Sequence, residues 1–284
     1  MLRMLIDPSL FSIYSFQKGE NPYIHTLTTH KEKAKSQHDM VKKSFKNIVV
    51  FQIETQKDKK HLSDMVFVAN GGLSLPRLPF RVILLPNMKY DHRKKELPYL
   101  REAFRQMKIQ TLPFPGSEPF EGQAELKWFH KGTKAVCGYG YRATLQAYKE
   151  LNVMFQTLYK QFNLEPPTLL VLPLESDKFY HLDFAMMEYE DSKCIVHARA
   201  FSPKSLSKLR DFLGKENVHT IDTEDCFCLN SVIDGNNLLT HKLTDPKIAP
   251  ILETLTKKHI VQIDTSEFEL SGGSIRCMTL DIFN

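Results

Sequence analysis

The feature that most constrains this chain is a recurring alternation of short apolar strands with longer amphipathic helices. Helical spacing is predicted over 30–46, 94–107, 143–162, 203–213 and 246–257. Strand-like runs lie between them at 48–54, 65–75, 81–87, 119–129, 133–143, 168–174, 180–189, 193–201, 217–222 and 259–264, with a hairpin expected around Asp234 and Gly235. Helix-and-strand groups return at roughly 45- to 60-residue intervals, without the self-similarity of a solenoid. A mixed α/β architecture follows, not a helical bundle. No linker, low-complexity tract or composition break interrupts the 284 residues, so a single domain over 1–284 is expected.

Composition narrows the class of partner. With 42% hydrophobic and 25% charged residues the chain reads as an ordinary globular protein, and a net charge of +5 spread along it offers nucleic acid or a membrane little grip. The apolar stretch 1–16 is interrupted by Asp7 and Pro8 and lacks a small-residue cleavage site, so it does not read as a signal peptide. No apolar run is long enough to span a bilayer. Five cysteines, an odd number without paired CxxC spacing, suggest neither a disulfide framework nor a zinc site, and a reducing cytoplasm is expected. Glycine-bearing words such as GYGYRA have neither the spacing nor the strand-to-helix context of a nucleotide loop, so no cofactor is expected.

Four polar words interrupt otherwise apolar strands: Asn70 in FVAN, Glu121 in FEG, His181 with Asp183 in YHLDF, and Cys277 in SGGSIRCMTLDI. Polar groups beside buried strand ends cost free energy unless partnered. Their chemistry is coherent. Two carboxylates suit a planar guanidinium, while a cysteine with a histidine supplies a nucleophile and a proton shuttle. Two residues apart on a strand, His181 and Asp183 would face the same side. Cys277 would sit where a tight turn enters a sheet. Each residue also has an ordinary structural reading: a buried small hydrophobe, a satisfied histidine and its partner, a turn residue.

The ordered series NPYI, DMVFVANGGL, FEGQAEL, GYGYRA, YHLDF, LNSV and SGGSIRCMTL spans nearly the whole chain. It resembles the guanidine-modifying superfamily of arginine deiminases, dimethylarginine hydrolases and amidinotransferases, and within it most of all the arginine dihydrolases. The resemblance implies a pentein fold, five ββαβ-type blades about a pseudo-fivefold axis, and an active site in the central channel without metal or organic cofactor. It also implies that Cys277 is the nucleophile, His181 the general acid and base, and that Glu121 and Asp183 hold the guanidinium. Asn21 and Asn70 match asparagines of the dihydrolase pattern, and Arg93 and Arg142 match arginines that grip a substrate carboxylate.

Gln123, Ala124 and Glu125 stand where the family usually has a small residue, glycine and aspartate. Ala143 and Phe184 replace threonines, and Ser274 replaces a third glycine. None removes a catalytic group, but Glu125 and Phe184 bear on substrate identity if they lie near the pocket. The expected substrate is arginine or a close analogue. A deiminase, a dimethylarginine hydrolase and an amidinotransferase stay open as alternatives, as does a non-catalytic binding protein on the same fold. A homo-oligomer is neither required nor excluded by the sequence.

Overall fold

The computed structural model describes residues 1–55 and 57–283. Among them are five three-stranded sheets built to one recipe, a central strand antiparallel to one neighbour and parallel to the other. The first holds β1 (Leu2–Ile6), which crosses through α1 (Lys31–Ser44) to the parallel β2 (Ile48–Phe51). In the second, β3 (Leu73–Ser74) turns back into β4 (Val82–Leu84), and α2 (Asp91–Lys94) and α3 (Leu97–Gln106) lead to β5 (Gln110–Leu112). The third runs β6 (Leu126–Phe129), β7 (Lys134–Tyr139), α4 (Leu145–Gln161), β8 (Thr168–Pro173).

The fourth begins with α5 (Leu182–Ala185) running into β9 (Met186–Glu188), then β10 (Cys194–His197), α6 (Pro203–Leu213) and β11 (Val218–Ile221). The fifth is β12 (Val232–Asp234), β13 (Asn237–His241), α7 (Ile248–Thr256) and β14 (His259–Ile263). After α8 (Ser266–Glu269) the chain ends in β15 (Leu280–Ile282), antiparallel to β1. The first ββαβ unit is therefore completed by the last strand.

Local chemistry sets the helix ends. The Thr144 side chain caps α4 by accepting from the Ala147 amide, and Ala147, Tyr148, Leu151, Phe155 and Tyr159 form its buried stripe. Pro203 opens α6 and Gly214, at φ +96°, closes it. The predicted helix 94–107 is two pieces, because Pro98 opens a fresh helix in its first turn.

Three expected strands are corrected. The 65–75 and 119–129 segments spend most of their length in turns, including single 3-10 turns at Val68–Gly71 and Gly122–Glu125, before the short β3 and the four-residue β6. His181 caps α5 and Asp183 lies within it, so they do not alternate on a strand. Cys226 and Cys228, whose spacing reads in the sequence as packed neighbours two apart on a strand, lie in turns ahead of β12, and the hairpin that follows is where it was expected.

These departures share a position. A short turn or helix precedes the first strand of every unit, carrying Asn70 ahead of β3, Glu121 ahead of β6, His181 and Asp183 ahead of β9, Asn230 ahead of β12 and Cys277 ahead of β15. Hydrogen bonds join the turns: Ala69 N to Cys277 O at 3.0 Å, Gln123 N to Gly72 O at 2.9 Å, Arg276 N to Asn230 O at 3.2 Å, and Asn230 Nδ2 to Asp183 O at 3.5 Å. Five equivalent places thus converge.

Candidate active site

One cavity of about 20 Å³ is lined by Asn21, Asn70, Arg93, Arg142, His181 and Cys277, together with Glu20, Asp64 and Tyr180. Glu121 and Asp183 stand directly behind it, both fully buried. All eight residues predicted from sequence are therefore brought together. Glu121 Oε2 lies 2.8 Å from His181 Nε2 and accepts from Asn70 Nδ2 at 3.2 Å and Arg142 Nη1 at 3.1 Å. Asn70 Nδ2 also lies 3.1 Å from His181 Nε2.

The opposite wall holds the thiol. Cys277 Sγ lies 3.5 Å from Asp183 Oδ2, and Asn230 Nδ2 donates to Sγ at 3.1 Å while Asn230 Oδ1 accepts from the Cys277 amide at 3.2 Å. Asp183 Oδ1 is buried with no hydrogen-bond partner. Asn230 escaped the sequence reading, although the LNSV word that contains it belongs to the motif series. An asparagine next to a β12 strand start carried no chemical signal of its own.

Burial and charge set the protonation states. Burial favours a neutral Glu121, but Arg142 beside it, the His181 contact and Arg93 hold its carboxyl far below the usual range. Burial lowers the His181 pKa against the pull of Glu121, so the imidazole is neutral at neutral pH. Cys277 is pushed well up by burial and by Asp183, with the Ser274 backbone and Asn230 opposing. Asp183 is raised by burial against His181, Lys127 and Arg276. Glu125 has its Oε1 3.7 Å from His181 Nε2, and burial with Glu121 and Asp183 drives its pKa well above the carboxylate range.

The two arginines are held differently. Arg142 lies between the Tyr90 and Tyr180 rings, 4.7 Å from each centroid, and donates to Glu20 O at 3.0 Å as well as to Glu121. Arg93 forks onto Glu96 at 2.8 and 3.0 Å and reaches the Asp64 and Phe67 carbonyls. Asn21 bends its own loop, its Oδ1 accepting from the Tyr23 amide at 3.0 Å. Of the two departures, Glu125 is beside the site, whereas Phe184 is fully buried behind it, stacked on Tyr23 and against Tyr180 and Phe227.

A cysteine, a neutral histidine on an ionised glutamate and an unfilled aspartate oxygen are gathered on this α/β fold, and the chain's homologues and structural neighbours are hydrolases acting on guanidino C–N bonds. A family model described as "N,N dimethylarginine dimethylhydrolase, eukaryotic" matches residues 13–284, and the chain belongs to that family. Among relatives, an uncharacterized protein of Caenorhabditis elegans, ZK1307.1, is 24% identical over 98% of this chain and 92% of its own. The N(G),N(G)-dimethylarginine dimethylaminohydrolase of Mycobacterium tuberculosis is 25% identical over 78% of this chain and 67% of its own. Among solved structures, the substrate-bound N-terminal domain of ArgZ, an arginine dihydrolase of cyanobacteria, superposes with TM-score 0.81 at 20% identity, covering 98% of this chain and 96% of that one. A dimethylarginine dimethylaminohydrolase adduct gives TM-score 0.70 at 16% identity, with 98% of both chains covered.

Proposed function

We propose that this protein hydrolyses the guanidino group of arginine through a covalent intermediate on Cys277, and that it carries the reaction on to ornithine as an arginine dihydrolase. The observation that carries the reading is Asp183: a buried carboxyl oxygen without a partner, in a side chain whose other oxygen touches the thiol. Such an oxygen calls for a planar cation beside the sulfur. In this reading the five ββαβ units are the blades of one pentein domain over 1–284, its central site built from the turns ahead of each first strand.

Arrival of a guanidinium between Asp183 and Glu121 offsets the charges that keep Cys277 protonated. The thiol proton passes to His181, directly or through water, and the thiolate attacks the central carbon. His181 returns that proton to the departing amine, so ammonia leaves and a thiouronium cation remains on sulfur. His181, neutral again, takes a proton from water as the oxygen attacks the same carbon. Collapse expels the thiolate, which recovers its proton from His181, and the hydroxyl proton passes to the released ammonia, leaving the neutral ureido group. A second round, with Asn70 offering the neutral ureido both a donor and an acceptor, converts it to amine, ammonia and carbon dioxide. The sum is arginine plus two waters to ornithine, two ammonia and carbon dioxide.

The match to the dimethylarginine family favours a second reading, in which the leaving group is dimethylamine and the reaction stops at citrulline. Incubation with L-arginine and with N,N-dimethylarginine, following products by mass and counting ammonia, separates the two. Ornithine with two ammonia per arginine is expected, and the Asn70→Asp variant should shift the product toward citrulline with one ammonia. Turnover of dimethylarginine alone would overturn the arginine assignment. Unchanged stoichiometry in Asn70→Asp would remove Asn70 from control of the second round.

A further inference from the structure

On the far side of the Cys277 turn lies a second cavity, of about 440 Å³, that the proposed reaction does not use. Its volume falls within the range of small-molecule sites, roughly 300–1,000 Å³. Pro76, Leu126, Trp128, Val232 and Phe283 give it apolar and aromatic walls. The Trp128 indole N–H is already spent on the Ser74 carbonyl at 3.1 Å.

The charged lining is unevenly satisfied. Every acid in it has a partner: Glu188 receives Lys127 at 3.3 Å and Arg276 at 3.2 Å, Asp281 receives Arg3 at 2.9 Å and Arg276 at 2.8 Å, Glu190 pairs with Lys193, and Asp191 accepts from the Lys131 amide. Arg3 spends Nε on Asp281, Nη1 on Asp234 and Nη2 on the Ile233 carbonyl, but the other four cations keep donors to spare. Arg276 is 4% exposed and its Nε has no hydrogen-bond partner. Lys127 is 1% exposed with one acceptor for three N–H bonds. Lys131 has no carboxylate partner among the described residues, and Arg77 spends only Nη1, on Gly132 O at 3.5 Å.

Buried donors without acceptors are costly, and a pocket that sets them among aromatic walls favours one class of occupant. We propose that this cavity binds a small organic anion, its carboxylate or phosphate held by Lys127, Lys131, Arg77 and Arg276 and its apolar body lying against Trp128, Val232 and Phe283. Such a site is separate from the catalytic cavity. Its ligand need not be a guanidino compound.

The test is isothermal titration of the Cys277→Ala protein with three probes: adenosine monophosphate, 4-hydroxyphenylacetate and inorganic phosphate. One organic anion should bind with submillimolar affinity, and which of the two binds identifies the headgroup. Its affinity should fall at least 10-fold in the Arg77→Glu/Lys131→Glu double variant, and by a smaller factor in the single Lys131→Glu variant at an exposed position, each checked for an intact fold by its melting temperature. A Val232→Phe variant, narrowing the same cavity without altering charge, should weaken binding too. Binding by neither organic probe, binding that survives the charge reversals, or inorganic phosphate binding as tightly as the organic anion would overturn the proposal. Heat is read without turnover, so failure here leaves the guanidine hydrolase reading untouched, and the reverse.

Discussion

At the scale of single residues the proposed reaction separates Cys277, the group that would react, from the groups that would ready it. Cys277→Ala should abolish turnover by ~10⁴-fold or more while leaving the melting temperature near that of the parent, measured by steady-state kinetics and calorimetry. Asn230 touches the same sulfur as a donor. A hydrogen bond to a charged group is worth about 1.5–3 kcal/mol, so Asn230→Ala should lower kcat/KM by roughly 10- to 100-fold. The pH behaviour of the thiol follows from its surroundings. Burial and Asp183 raise its pKa well above the ordinary thiol value, and a raised acid pKa leaves the reactive thiolate scarce until high pH. Inactivation of the free protein by iodoacetamide should therefore keep accelerating above pH 9, where an ordinary thiol, with its pKa near 8.5, approaches a plateau. A plateau by pH 8 would contradict this account.

At the scale of elements, the sequence carried the helices well and the turns poorly, for a physical reason. Amphipathic spacing marks α4 and α6 because each buries one face and has a chemical cap at its start. VANGG, FEGQAE and YHLDF instead look like apolar strands with a polar accident, since residues in a turn buried on all sides need to be apolar for the same reason strand residues do. Their polar atoms find partners only across the site, as Gln123 does with the Thr279 carbonyl at 3.1 Å and the Asp281 amide at 3.0 Å. Such long-range pairing has no local signature. Motif order pointed to the eight expected residues that line or back the cavity and to Glu125 as a departure near them, whereas Asn230 and the tyrosines around Arg142 became visible only in three dimensions. Gly122 shows how tightly the turns are set: its φ is +63°, and a Cβ there would come within 2.5 Å of the Gly72 carbonyl oxygen. Gly122→Ala should cost at least about 1–2 kcal/mol from backbone strain alone and, by displacing Glu121, lower activity more than stability; a thermal melt paired with kinetics reads both.

At the scale of the whole molecule, the two chain ends are locked together by charge as well as by strands. β1 pairs with β15, and Asp281 on β15 receives Arg3 of β1 at 2.9 Å and Arg276, the neighbour of Cys277, at 2.8 Å. One buried carboxylate thus ties β1 to the Cys277 turn. Burial opposes its ionisation, but Arg276 and Arg3 prevail and hold the Asp281 pKa below the ordinary value. A carboxyl whose pKa is lower folded than unfolded stabilises the native state above its unfolded pKa, about 3.9, and loses that contribution as pH falls through the folded pKa. Replacing it with alanine would leave Arg3 with Asp234, at 2.7 Å, and Arg276 with Glu188, at 3.2 Å, as their remaining carboxylate partners beside the second cavity. Breaking a buried pair costs about 3–5 kcal/mol when the charge left behind is uncompensated; with Asp234 and Glu188 still in place, urea unfolding of Asp281→Ala at pH 7 should show a smaller loss, about 1.5–3 kcal/mol, with the slope unchanged. At pH 3 and below the gap between parent and variant should narrow, because the parent's carboxyl is then losing its charge. An undiminished gap in acid would mean that Asp281 acts through packing, and that the ends are held by the β1–β15 ladder rather than by the charges beneath it.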